Sequence, residues 1–335
     1  MFELLGLALL LAALLTFNSI ASVVIAGLWR VAGRATDGWS AAARARLLFS
    51  LRTLPALLAV LFVALLLVPA YIEHEPRHAA ESVSLKLGLL AFLSAAGLVV
   101  SLVRGVATHR ATAKLTSDWL RYGTPIQIAD INIDAYQIHH PFPLIGIVGF
   151  LRPRLFIANQ VLEILTPEEI SAAIAHENGH LRARDNLKRG LMQACRDALL
   201  IIPSGRLLDK SWSGASEEAA DENAARQGNV VALDLASALV KIARIIPLGA
   251  RPTMPAGVFL LGDEEETKGI KSRVGRLIAL AATERGSGSP HDALTSLFTW
   301  GPASMLLVVF TIAATNPHLL AKVHYLIEHA VFVLS

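Results

Sequence analysis

The sequence predicts an α-helical membrane protein of about four transmembrane helices, with an α+β cytoplasmic domain inserted between the third and the fourth. Three observations lead there. Of 335 residues 54% are hydrophobic and only 17% charged, with a mean hydropathy of +0.52; an ordinary soluble chain carries about a quarter charged residues. The apolar residues gather into four runs of near-bilayer length. Between the third and fourth runs lies a long block of ordinary polarity, where strand-like alternation gives way to helical periodicity.

The first run, residues 4–28, contains no charge. The second, 54–72, is interrupted only by Pro55 and Pro69 near its ends, and the third, 85–103, extends through a snorkelling Lys86. The fourth is 294–315. Each approaches the roughly twenty residues needed to cross hydrocarbon, although a buried core helix is the alternative for the third and fourth. Residues 1–104 therefore form a three-helix membrane unit, 105–293 a separate domain, and 294–335 a fourth helix with an amphipathic tail.

The connectors set an orientation. Arg30, Arg34, Arg44, Arg46 and Arg52 stand between the first two runs with Asp37 as the one acid, whereas Glu73, Glu75 and Glu81 oppose Arg77 between the second and third. Arg104, Arg110, Lys114 and Arg121 follow the third run. By the positive-inside rule the first and third connectors, and with them the 105–293 domain, are cytoplasmic, leaving the N- and C-termini outside. Met-Phe-Glu at the start lacks the positive charge of a cleavable signal peptide, so the first run reads as an anchor. The sequence pI of about 9.1 is then a topology signal. No basic tract with stacked aromatics argues for nucleic-acid binding. A lone cysteine, Cys195, forbids an intrachain disulfide and suits a reducing compartment; it is expected in the core, on a continuation of the helix that carries the motif described next.

Within the block, residues 126–133, 145–148 and 154–157 read as strands, the last two around the Gly149 and Pro153 turns. Thr166-Pro167-Glu168-Glu169 is a helix start, with Thr as N-cap, Pro at the first helical position and Glu169 closing a capping box. Ile170, Ala173, Ile174 and Leu181 then recur at helical spacing. Inside this helix lies His176-Glu177-Asn178-Gly179-His180. Residues four apart on a helix share a face, so both imidazoles can grip one zinc ion while Glu177 takes a proton from the water that zinc activates. Gly179 costs about 1 kcal/mol against Ala at such a position; either it clears space for the metal or a packed neighbour, or it is a tolerated glycine.

A catalytic zinc takes a third protein ligand. Glu217 and Asp221 are four apart in a second helical pattern that is expected to start after Ser213-Gly214-Ala215-Ser216. One carboxylate can bind metal while the other hydrogen-bonds a ligating imidazole; a solvated acidic helix start capped by Ser is the alternative.

Gly146 to Ile157, the capped helix, H-E-x-x-H, Arg184-Asp185-Asn186 and E-x-x-A-D at Glu217 to Asp221 resemble the integral-membrane gluzincins, zinc metallopeptidases with a zincin-like catalytic domain. They are most similar to the BlaR/MecR β-lactam-sensor peptidases and more distantly to the HtpX and CAAX-protease class. Ser272 to Leu277 resembles a less specific element of the same domains. The resemblance implies one zinc per chain held by His176, His180 and Glu217, Glu177 as the base, and Asp221 behind the ligands. It implies a bacterial-type inner (plasma) membrane, and a cytoplasmic repressor or a membrane protein as substrate. The chain ends some twenty residues after the fourth run, so no penicillin-binding sensor domain and no β-lactam sensing are expected. An HtpX-like quality-control protease and a non-catalytic receptor or scaffold are the other readings.

Tyr136, His139 and His140 stand near the expected edge strand and are candidates for substrate or transition-state contacts, with turn residues as the plainer reading. His324, Glu328 and His329 sit in an amphipathic stretch, for which a helix on the outer membrane face is preferred to a second metal site. Residues 247–269 suggest a loop over the cleft, and 285–290 a hinge.

Overall fold

The computed structural model describes residues 2–75, 83–128, 131–199, 205–246, 266–282 and 291–334. Helix α1 (Phe2–Ala32) tightens into a 3₁₀ turn at Gly33–Thr36. Helix α2 (Ala41–Phe62) is capped by Ser40 and continues through a π turn, Val63–Leu67, into α3 (Val68–His74). Helix α4 (Leu85–Tyr122) is capped by Ser84. The stretches Phe2–Thr36, Ala41–His74 and Leu85–Tyr122 are long and apolar enough to cross a membrane. Leu7, Ile20, Val24 and Leu28 on α1 and Leu89, Phe92, Val99 and Leu102 on α4 are exposed. Apolar faces of this extent are rare on monomers in water and suit acyl chains.

The expected fourth span is helical as α11 (His291–Ala314), and α12 (Pro317–Leu334) follows it. Ala303–Ala314 and Pro317–Val333 are long and apolar enough to cross a membrane as a pair, and the chain turns by 91° between them. Among the described residues there are thus three membrane-length helices, or four if the bent pair is one span.

The sheet is four-stranded in the order β1-β2-β4-β3, with β1 (Thr124–Ile126), β2 (Ala135–Ile138), β3 (Ile145–Val148) and β4 (Arg154–Ala158). β2 and β4 are parallel and the other pairs antiparallel. The strand expected at 126–133 is corrected: β1 and β2 flank that segment, and its described residues after Ile126 carry no strand. Its isoleucines do face the core, with Ile131 buried and Ile126, Ile128 and Ile133 packed against the same cluster. Asn132 and Asp134, which favour turns, break the alternation before a ladder can form.

A helical layer follows: α5 (Asn159–Ile164), α6 (Pro167–Ala183), α7 (Asp185–Asp197), α8 (Arg206–Ala225), α9 (Asn229–Ile245) and α10 (Glu266–Ala282). Two expectations change here. Cys195 lies on α7, cut off from α6 by Arg184 in the left-handed conformation at φ 55°, and is half-buried. Helix α8 begins at Arg206, so Ser216 is a buried interior residue of the helix and not its cap. The segments expected as a cleft-covering loop and a hinge fall largely on 247–265 and 283–290, outside the described residues.

Helices α7 and α8 are rooted in the ends of the apolar helices. Trp29, Leu48 and Phe49 pack with Met192, Leu208 and Trp212 in one cluster. The buried Arg52 pairs with Asp209 at 2.8 Å, and Arg104 with Asp197 at 3.0 Å. Gly97 of α4 lets the end of α7 approach so closely that a Cβ there would sit 2.4 Å from the Ala198 carbonyl oxygen. Gly97→Ala should therefore destabilise the protein by about 1–3 kcal/mol, the usual cost of overpacking, measured by thermal unfolding in detergent.

Glu169 ties α6 to α9. Its carboxylate accepts from the Thr166 amide at 2.9 Å and the Ser237 hydroxyl at 2.6 Å, and pairs with Lys241 at 2.7 Å. Burial would raise its pKa above the ordinary 4.5, but Lys241, Ser237 and Thr166 overcome burial and hold it lower. A carboxylate held low stabilises the fold above its unfolded pKa and loses that contribution as pH falls through the folded value. Glu169→Gln should then lower the unfolding temperature at neutral pH and flatten its decline below pH 4.5.

Candidate metal centre

The capping box at Thr166 and Glu169 is present, with both reciprocal hydrogen bonds, and it fixes where α6 begins. His176, Glu177 and His180 then fall on its buried face. Helix α8 crosses at Gly179, where a Cβ would lie 3.0 Å from the Ala220 Cα and 3.2 Å from the Asn223 Cβ. Of the alternatives for Gly179, the packed neighbour is the one observed. Asn223 reinforces the crossing by donating to the Ala175 carbonyl at 2.9 Å.

The close crossing brings Glu217 to the histidines. The two Nε2 atoms are 3.2 Å apart, and the Glu217 carboxylate oxygens lie 3.6 Å from Nε2 of His176 and 3.7 Å from Nε2 of His180. The far side of each ring faces a carboxylate. His180 Nδ1 is 2.8 Å from Asp185 Oδ2. His176 Nδ1 is 3.0 Å from Asp221 Oδ1, an ionic contact by distance though outside hydrogen-bond geometry. Carboxylates behind both Nδ1 atoms favour protons there, which leaves two Nε2 lone pairs aimed into one small space. Such an arrangement is repulsive without a cation between the rings. Bonds of about 2.0–2.1 Å to a tetrahedral zinc place neighbouring ligand atoms roughly 3.3 Å apart, within a few tenths of an ångström of these separations. The donor set fits a zinc ion.

The same acids set the charge of the cluster. Burial pushes the Glu177 carboxyl up, with His180 and His176 pulling against it. Burial alone would lower His180, but Glu217, Asp185 and Glu177 outweigh it and the net direction is up. Asp185 and Asp221 are both held below the usual carboxylate range despite burial: Asp185 by His180 and Lys188, Asp221 by His176 and the Arg273 guanidinium.

Sequence reasoning did not assign three of these roles. Asp185 orients His180 and itself accepts from Ser216 Oγ at 2.6 Å. Arg273 bridges Glu217 at 3.0 Å and Asp221 at 2.7 Å, joining α10 to the site. Asn186 donates to the carbonyls of Ile147 at 2.9 Å and Gly149 at 3.3 Å. The sole signals for them were membership of Arg184-Asp185-Asn186 and of Ser272 to Leu277.

Tyr136, His139 and His140 are not brought to this cluster. Tyr136 stacks on Phe156 within the sheet, His139 is exposed, and His140 Nδ1 accepts from the Phe142 amide at 3.1 Å. The expectation placed them near the edge strand beside the site, but that strand is β3, which β4 separates from β2. A cleft of ≈ 290 Å³ runs from Glu177 and His180 along Ile147, Phe150, Leu151 and Leu187.

Residues 146–249 match the family model for Peptidase family M48. The matched stretch runs from β3 through α9, so it contains His176, Glu177, His180, Asp185, Glu217 and Asp221 but not Arg273. Searches of curated proteins and of solved structures gave no match. The match supports a metallopeptidase domain of the M48 type, carried by a chain with three membrane-length apolar helices. Within the M48-like domain, Asp185→Asn should lower zinc affinity about 10–100-fold, the usual effect of losing the partner behind a ligating imidazole. A competitive zinc titration against a chromophoric chelator, in detergent, reads this directly.

Proposed function

We propose that the protein is a membrane-embedded zinc-dependent endopeptidase that hydrolyses peptide bonds of a cytoplasmic or membrane protein. The observation that carries this is the meeting of His176 Nε2, His180 Nε2 and Glu217 in one space, with Glu177 at its edge facing the cleft. His176, His180 and Glu217 would hold one zinc ion. When bound, it supplies the Lewis acid that polarises a carbonyl and makes water nucleophilic near neutral pH.

Glu177 is the base. Its carboxylate takes the proton of the attacking water and returns it to the leaving amine. Asp185 and Asp221 hold the imidazoles in one tautomer, and Arg273 keeps Glu217 and Asp221 in place. The cleft beside β3 suits an extended chain, because β3 is an edge strand and a peptide can pair with such an edge through its backbone. At Ile147 that edge is occupied: the amide donates to Glu177 Oε2 at 3.2 Å and the carbonyl accepts from Asn186. A substrate strand pairing there displaces both side chains and frees the Glu177 carboxylate.

The catalytic domain is read as cytoplasmic, from the positive-inside distribution of Arg and Lys. Regulatory cleavage of a BlaR/MecR-like kind is the preferred role, on the motif set from Gly146 to Asp221. HtpX-like quality control of membrane proteins is the second reading, favoured by the rooting of α7 and α8 in the ends of the apolar helices. Glu177→Gln should retain zinc and lose about 10²–10⁴-fold in cleavage rate, measured by elemental analysis and by a fluorogenic peptide assay. Cleavage at the parent rate would remove Glu177 as the base. Proteins trapped by the same variant in membranes distinguish one regulator from many membrane fragments.

A further inference from the structure

Two independent rows of contacts fix how deep α7 sits against the apolar helices. Along α4 it runs antiparallel: Ser101 Oγ donates to the Ala194 carbonyl at 3.1 Å, and the Ala198 carbonyl oxygen lies 2.4 Å from where a Cβ on Gly97 would be. Along α2 it runs parallel: Lys188 Nζ stands 5.8 Å from the centre of the Phe49 ring, and the Arg52 guanidinium donates to the Met192 carbonyl at 3.4 Å. The apolar run of α2 begins at residue 54, and that of α4 ends at residue 103. Paired helices climb by the same rise per residue, so the first row sets residue 103 level with about residue 192 of α7, and the second sets residue 54 level with about residue 194. The two rows agree. The C-terminal turn of α7 is immersed in the apolar layer, and the rest of the helix rises out of it.

The same scale places the cleft. Leu187, Gly190, Leu191, Ala194 and Ala198 are spaced as one stripe of a helix, and the end of that stripe is the part seated on α4. Leu191 is within about 5 Å of the edge of the apolar layer and Leu187 about one turn further out, a range that covers the headgroup zone. The turn between β3 and β4 is at this level too. Phe150 packs on Gly190, its ring 3.2 Å from where a Cβ would be, and Leu151, 83% exposed, lines the cleft with Leu187 and Arg184. Leu187 and Leu191 are exposed as well, and on α4 the exposed apolar side chains continue past the end of the run to Val106. Arg152 and Arg184, both exposed, flank the leucines with the positive charge that suits phosphate headgroups. Arg196, on another side of α7, keeps its charge paired with Asp209 at 3.6 Å.

We propose that the rim of the cleft is a lipid-contact surface, in which Leu151 of the β3–β4 turn and Leu187 and Leu191 of α7 lie at the boundary between acyl chains and phospholipid headgroups. One wall of the cleft mouth then borders lipid. The proposal rests on the membrane reading of the apolar helices and is independent of the zinc assignment.

The experiment is nitroxide labelling of single cysteines in the full chain with Cys195→Ala, reconstituted in phosphatidylethanolamine–phosphatidylglycerol nanodiscs. Collision of the label with oxygen, which partitions into lipid, is compared with collision with a water-soluble nickel chelate. Phe92→Cys, on the exposed face of α4, is the lipid reference, and Glu163→Cys, exposed on α5, is the aqueous one. Leu151→Cys, Leu187→Cys and Leu191→Cys should give oxygen-to-nickel ratios above that of Glu163→Cys, rising from Leu187 to Leu191 toward that of Phe92→Cys. Size-exclusion profiles and circular dichroism matching the parent show that each variant is folded, and Arg152→Cys is the second variant on the turn, with a ratio above the aqueous reference also expected. A ratio equal to that of Glu163→Cys at the turn or at Leu187 overturns the proposal, whatever Leu191 shows. A water-like label at Phe92 removes the membrane reading and the proposal with it, whereas loss of zinc or of cleavage in any variant bears on the peptidase reading alone.

Discussion

The crossing of α6 and α8 at Gly179 is the contact on which the candidate centre depends. Two imidazole nitrogens and a carboxylate can meet only if the helix axes come close enough for short side chains to bridge them, and a Cβ at residue 179 would press on Ala220 and Asn223. Close crossing has an electrostatic consequence. Glu177, Asp185, Glu217 and Asp221 are gathered near Arg273 and Lys188, an excess of negative charge that a divalent cation would neutralise. Burying unpaired carboxylates is costly. That excess of negative charge therefore favours a bound cation.

That centre is not carried on a free-standing domain. Arg52 with Asp209, Arg104 with Asp197, and the Trp29–Trp212 cluster fasten α7 and α8 to the ends of the apolar helices. Polar pairs at such a junction restrict the angle at which the helices meet, because each guanidinium must reach one carboxylate. The cleft is consequently held at the end of the helical bundle.

Local signals were legible where the chemistry is local. The capping box needs only residues 166–169, and the histidine pair needs only the helical repeat, so both appear where the spacing placed them. β3 has the boundaries its apolar run suggested, and β4 extends one residue further. Ser216 illustrates the opposite case. Its type and position suggest an N-cap, but α8 starts ten residues earlier and the hydroxyl is spent on Asp185. The isoleucines of 126–133 likewise show burial without a ladder, since alternation reports which side faces the core and not whether a partner strand is in register. Tyr136, His139 and His140 were grouped with the site because they are near an expected edge. The strand order β1-β2-β4-β3 makes that edge β3.

The apolar helices, the start of α6 and the pairing of His176 with His180 could be read from the chain alone, because each follows from the repeat of one helix or the length of one run. Which acids join them depends on how the helices pack. Asp185, Glu217, Asp221 and Arg273 lie on three different helices. No periodicity encodes such encounters. They arise from the angle at which helices pack, and that angle is set by small residues, buried ion pairs and apolar clusters acting together.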